Sequence, residues 1–137
     1  MGSYEEYEAL LRRSRAFYET ALMQAERGYY DLAVFSLEQA LQLFLKALLV
    51  KLGIGYPRSR SARRLLRLIA EAEPGLAATV EGLIFKYSVE LAALEDAYIT
   101  SRYTPRVFEE AEVERLRRVV EEVFEKLGDT GPRGAAP

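Results

Sequence analysis

Two stretches of this sequence hold residues whose types and spacing could do chemistry: LEDAYITSRYTP at 94–105 and RSRSARRLLR at 58–67. In the first, a run with helical apolar spacing reaches Tyr98, Arg102 and Tyr103 and is stopped by Pro105. One arginine and two aromatic rings at a helix end suit a base stacked on a ring and a phosphate held by a guanidinium. The same spacing also suits a plain helix terminus, with Arg102 capping the last carbonyls and pairing with Glu95 or Asp96 while Tyr98 packs in the core. The second stretch has five arginines and no acid. The chain totals −2 and this stretch carries +5, so the remainder carries −7. A helix starting at Ser59 or Ser61 would put Arg58, Arg60, Arg63 and Arg64 at the positive end of its dipole, where a cation costs roughly a few tenths of a kcal/mol. Something negative must compensate. Either acids of the glutamate-rich remainder do so, or a bound phosphate held by helix N–H groups and guanidinium forks. A pI near 5.4 argues against broad binding of duplex nucleic acid.

What is missing narrows the chemistry further. The chain has no His and no Cys, which removes Cys/His zinc sites, His-activated nucleophiles, imidazole bases and disulfides. Catalysis would fall to Glu, Asp, Lys, Arg, Tyr, Ser or Thr, and no metal ligand set or cofactor motif is expected. Arg outnumbers Lys 15 to 4, Glu outnumbers Asp 18 to 3, and Asn is absent. That bias favours ion pairs over heat-labile amides and points to a thermophilic source.

The elements that must position these residues read as helices throughout. With 137 residues, half of them apolar, the chain suits one domain with one core. The pattern predicts an all-α, up-and-down bundle of four long helices and a shorter one over 1–127, with a disordered tail at 128–137. Helix one opens on the capping-box spacing of Ser3 and Glu6 and runs to Gly28. Helix two, from about Tyr30 to Leu52, is apolar nearly all round and ends at GIGYP. It is long enough for a bilayer, but Glu38, Gln39, Gln42, Lys46 and Lys51 favour a buried helix and no membrane association. Asp31, Glu38, Gln42 and Lys46 share one side of it, as a solvated strip, a polar groove or a dimer contact. A shorter helix from about Ser61 to Glu73 stops at Pro74-Gly75. A longer region then carries Val80 to Tyr98, with Gly82 as a point of kinking or splitting, and the last helix spans about Phe108 to Leu127. The absence of a signal-like opening sets a cytoplasmic location as the expectation.

The order YYDLAVFSLEQALQLFLKALLVKLG, YPRSRSARRLLRLIAE, LEDAYITSRYTP resembles the HEPN domain family (higher eukaryote and prokaryote nucleotide-binding), in its small stand-alone form, over about residues 5 to 127. Asp31, Ala33, Gln39, Ala40, Lys46 and Ala47 match the family pattern in helix two. The resemblance implies a helical bundle that forms a homodimer with a groove where the protomers meet. It also implies a minimal nucleotidyltransferase as partner in a toxin-antitoxin-like pair, sometimes modifying a HEPN tyrosine. Many members are metal-independent ribonucleases with an arginine followed about four to six residues later by histidine. If Arg102 is that arginine, the histidine position holds Val107, Phe108 or Glu109. Histidines that relatives carry near Ser36 and Arg60 are replaced as well. The expected function is therefore noncatalytic binding of a nucleotide or single-stranded RNA through Tyr98, Arg102, Tyr103, Arg60, Arg63 and Arg64. Two alternatives remain: a ribonuclease of altered chemistry using Arg102 and Glu109, and a structural or regulatory helical partner without a ligand.

Overall fold

A computed structural model describes residues 3–55, 57–103 and 106–128, with side chains from 4–55, 57–97 and 106–128. Among these residues the chain is helical with no strand: α1 (Ser3–Glu26), α2 (Tyr30–Lys51), α3 (Ala62–Ala72), α4 (Ala77–Lys86), α5 (Ser88–Tyr103) and α6 (Glu110–Leu127), with a 3₁₀ turn at Pro74–Leu76. The all-α expectation holds, but the count is six helices, not five. Of the tail expected at 128–137, residues 129 onward lie outside the described residues.

Two glycines set the ends of the first two helices. Gly28 and Gly53 both take φ +80°, the left-handed region that a side chain resists. Each closes its helix with a paired motif. Tyr29 N–H donates to the Gln24 carbonyl at 2.9 Å and Gly28 N–H to Ala25 at 3.0 Å; Ile54 and Gly53 repeat this on Leu49 and Val50, both at 3.0 Å. The tight turn at Gly28 sends α2 back along α1. Ser14 Oγ donates to the Ala40 carbonyl at 2.7 Å, and the Lys51 ammonium lies 4.9 Å from the centre of the Tyr7 ring.

The predicted break in the fourth region lies at Tyr87, five residues beyond Gly82, which stays inside α4. A regular helix turns successive residues by about 100°, yet Lys86 and Tyr87 both reach the Glu122 carboxylate of α6, Lys86 at 3.2 Å. Tyr87 takes φ −118° and ψ 29°. Its N–H still donates to Leu83 at 2.9 Å and its carbonyl accepts from Leu91 at 2.8 Å, so α5 continues α4 across a kink. These contacts set the start of α5 against the end of α6. The long helices α1, α2, α5 and α6 thus alternate in direction, and α2 and α6 run side by side with the Phe44 and Phe124 rings 4.8 Å apart.

α2 is the central helix. Fourteen of its residues are buried, among them Leu37, Leu41, Phe44, Leu45, Leu48 and Leu49, each burial contributing about 1.5–3 kcal/mol for the large side chains. It has the length and hydropathy of a membrane span, with 78% of its most apolar window buried inside the chain. The apolar row of α6, Val113, Leu116, Val120, Val123 and Leu127, is covered too. The apolar faces of α2 and α6 are therefore covered within one chain.

Candidate functional site

The strip on α2 is not solvated. Asp31 is exposed at its beginning, but Glu38 and Gln42 are 2% and 4% exposed, and Lys46 is half-buried. A carboxylate in that position needs a cation, and it comes from the arginine-rich stretch. Arg60 Nη2 donates to both Glu38 oxygens at 3.1 and 3.2 Å, and Gln39 Nε2 to one of them at 2.7 Å. Gln42 Nε2 donates to the Arg60 carbonyl at 2.6 Å, pinning the loop before α3 to the centre of α2. Burial pushes the Glu38 carboxyl up from its ordinary 4.5, against the opposing pull of Arg60, Gln39 and Lys46. Burial and the nearby Arg60 push Lys46 down, with Glu38 opposing. This is a clamp between α2 and α3 rather than a surface network.

A second clamp ties the beginning of α3 to α5. Arg63 Nε and Nη2 donate to the two oxygens of Glu95 at 2.9 and 3.0 Å, a forked pairing that fits guanidinium to carboxylate. Ser61 caps α3, its Oγ accepting from Arg64 N–H at 3.2 Å and donating to Glu95 at 3.1 Å. Burial works to raise the Glu95 pKa, but the bonds from Arg63 and Ser61 outweigh it and hold the carboxyl below 4.5. Its contribution to stability is therefore present above the unfolded value and is lost as pH falls through the lower, folded one. Replacing Ser61 by Ala removes the cap and one bond to Glu95, and stability should fall by about 1 kcal/mol in urea unfolding. An unchanged midpoint would mean that water replaces the hydroxyl at no cost.

The arginine stretch is thus divided. Acids of the remainder, Glu38 and Glu95, supply the compensation for Arg60 and Arg63. Arg58, Arg64 and Arg67 are exposed and have no carboxylate partner among the described residues. Sequence reasoning named Arg60 and Arg63 for a ligand but missed their two partners. Glu38 carries a local signal, an acid in the middle of a helix that is apolar nearly all round, but that signal does not say which cation answers it.

The backbone places Arg102 and Tyr103 in the final turn of α5, which ends at Tyr103 ahead of Pro105. Positions 95, 98 and 102 fall on one stripe of that helix, 102 about 10 Å beyond 95 along the axis. The arginine clamp and the Tyr98/Arg102 positions therefore share one side of α5. The side chains of Tyr98, Arg102 and Tyr103 lie outside the described residues. Glu109, the alternative base, is the N-cap of α6: its side chain accepts from the backbone of Glu112, and its own N–H donates to Glu112 Oε1 at 2.9 Å. Ser36, where relatives were expected to carry His, is buried and donates to Gln24 Oε1 at 2.7 Å. Among the described residues no three Asp or Glu side chains converge as a metal would require.

Open grooves lie elsewhere, at the α1–α2 turn. One of about 330 Å³ runs between the end of α1 and the start of α6, past Met23, Tyr30, Glu110, Glu114 and Arg117. A neighbour of about 410 Å³ is bounded by Gly28, Asp31, Arg106 and Phe108. Both carry cations already paired to acids, Arg117 with Glu121 and Glu114, and Arg106 with Glu112 at 2.7 Å. The surface beside α3 has the cations to spare.

Compared with protein families, the chain matches the model described as HEPN domain over residues 7–130. No curated protein matches it, and no solved structure does.

Proposed function

The chain belongs to the HEPN domain family, and on that footing we propose that it binds a nucleotide or single-stranded RNA without cleaving it, as a homodimer acting with a minimal nucleotidyltransferase in a toxin-antitoxin-like pair. The family supports a nucleotide- or RNA-binding or ribonuclease-like role. The observation that carries the binding reading is the set Arg58, Arg64 and Arg67, exposed and without acidic partners among the described residues, before and along the first half of α3. Guanidinium forks with no internal carboxylate are suited to phosphate. The residue inventory supports noncatalytic binding. Cleavage needs a group to accept the attacking hydroxyl's proton and another to protonate the leaving oxygen, and arginine does neither near neutral pH. The chain has no histidine, and Glu109 is engaged in capping α6.

Titration with ADP and with a labelled single-stranded oligoribonucleotide tests this. Weak binding that falls as salt rises is expected, each arginine–phosphate contact adding about 0.7 to the salt slope on a single strand. The triple variant Arg58→Ala, Arg64→Ala, Arg67→Ala should flatten that slope and weaken binding about tenfold or more. Arg102→Ala should weaken it too, with an unchanged circular dichroism spectrum. Absence of binding at low salt, or a triple variant that binds like the parent, would leave these arginines without a ligand role. Robust RNA cleavage abolished by Arg102→Ala would instead make the protein a ribonuclease. The partner is tested by whether a nucleotidyltransferase copurifies with the native protein.

A further inference from the structure

A third groove adjoins the α1–α2 turn and differs in charge from the two beside α6. It measures about 350 Å³ and is bounded by Thr20, Met23, Gln24, Arg27, Tyr29 and Leu32, which puts it at the small end of ligand pockets. Thr20, Met23, Gln24 and Arg27 share one side of α1 by their helical spacing, and Tyr29 and Leu32 stand at the start of α2. The left-handed Gly28 between them reverses the chain, so the two sets face each other as walls. Met23, Tyr29 and Leu32 are each about half exposed and give the groove an apolar lining. Its polar groups are donors or already engaged. The Thr20 hydroxyl donates to the Ala16 carbonyl at 2.8 Å. Gln24 Oε1 accepts from Ser36 Oγ at 2.7 Å, which fixes the amide and leaves its N–H pair without an acceptor among the described residues. Arg27 is exposed and has no carboxylate partner among them. Its sequence neighbours Glu26 and Asp31 line the other two grooves instead. In a chain with 21 acidic side chains, this groove has a guanidinium, an amide and no acid among its described walls.

We propose that this groove binds a small aromatic carboxylic acid, with its ring against Met23, Tyr29 and Leu32 and its carboxylate on the Arg27 guanidinium and the Gln24 amide. The site is separate from the arginines beside α3 and does not depend on the nucleotide or RNA reading. A guanidinium offers a planar carboxylate two parallel N–H bonds. One cation also matches a single negative charge, whereas a phosphate dianion would keep a charge uncompensated. The amide N–H pair supplies a further donor to the same oxygens. A Tyr ring and a Met thioether both favour an aromatic partner over an alkyl chain, and the ring that enters displaces water from three half-exposed apolar side chains. The groove is open on one side, so a Kd of about 0.1–1 mM is the expected scale for a ligand of this size.

Titration of the full chain with 2-naphthoate, followed by NMR on ¹³C-methyl methionine, decides the matter. The chain holds only Met1 and Met23, so one of at most two signals reports on the groove wall, and Met23→Leu assigns it. The ring current of bound naphthoate should shift the Met23 methyl signal to saturation. 2-Naphthamide, the same ring without the charge, should bind about tenfold or more weakly. Arg27→Gln should weaken naphthoate by about the same factor and leave naphthamide unchanged. Leu32→Glu, which sets an acid in the lining, should abolish naphthoate binding. Arg27 and Leu32 are both exposed, so circular dichroism should not change in either variant. The triple variant Arg58→Ala, Arg64→Ala, Arg67→Ala should bind naphthoate like the parent. Absence of a saturable Met23 shift up to about 10 mM naphthoate overturns the site. Naphthamide that binds as tightly as naphthoate, or naphthoate binding untouched by Arg27→Gln, overturns an acid as the ligand. Loss of naphthoate binding in the triple variant would put the anion beside α3 and overturn this groove.

Discussion

Replacing Arg60 by Ala should lower stability by about 2–4 kcal/mol, more than any other single arginine substitution between 58 and 67. The reason is the asymmetry of the pair. Glu38 is 2% exposed, whereas the Arg60 side chain is 37% exposed, so truncating the arginine strands an acid that water reaches poorly. The figure is set below the usual range for a fully buried pair because the exposed guanidinium leaves an opening through which water can partly hydrate Glu38. Arg64→Ala removes a solvated cation and should change stability by less than about 0.5 kcal/mol. The deficit of the Arg60 variant should also depend on pH. Burial already raises the Glu38 pKa above 4.5, with Arg60 opposing, and losing Arg60 raises it further. A carboxyl with a raised folded pKa contributes stability that is fully present below its unfolded value and is lost as pH rises through the folded one. The variant should therefore come closest to the parent near the ordinary carboxyl value of 4.5 and fall furthest behind at neutrality. Glu38→Gln added to Arg60→Ala should recover part of the loss at neutral pH. Urea unfolding of parent, single and double variants at both pH values measures this. A pH-independent deficit, or no recovery in the double variant, would show that the loss comes from packing of the arginine stem.

Replacing Phe44 by Ala should cost about 3–5 kcal/mol, the larger of the two effects. Phe44 is 1% exposed on the central helix. Its ring lies 4.8 Å from that of Phe124, which lies 5.5 Å edge-on from that of Tyr18, whose hydroxyl donates to Glu121. One chain of aromatic contacts thus joins α1, α2 and α6, and burial together with the Glu121 bond pushes the Tyr18 pKa up to about 12. Removing the Phe44 ring leaves a cavity against helices that can close on it only in part, since each is held by other buried leucines and valines. Local loosening should appear in α6 first, because this contact is part of a shorter set that holds α6 to α2, while α1 and α2 hold each other along most of their length. Chemical unfolding gives the magnitude and amide exchange the location. A loss under about 1.5 kcal/mol would mean that the core collapses into the space.

The sequence alone determined the helical class, most helix ends and the centrality of α2. These properties come from local chemistry: Gly28 and the GIGYP run stop the first two helices, Ser59 or Ser61 opens the arginine-rich helix, and an all-round apolar helix has to be enclosed. The same local logic identified the arginine-rich segment and its need for negative compensation. It was silent on which acids answer, because Glu38 and Glu95 lie 22 and 32 residues from Arg60 and Arg63, and such pairing depends on how α2, α3 and α5 pack. Only the tertiary structure decided that the polar strip of α2 is buried, that Glu109 caps α6, and that the fourth helical region breaks at Tyr87, where Lys86 and Tyr87 reach Glu122 across the bundle. It also decided that the apolar faces of α2 and α6 are covered within one chain. Burial is a property of the assembled helices, and periodicity marks a face without saying what covers it.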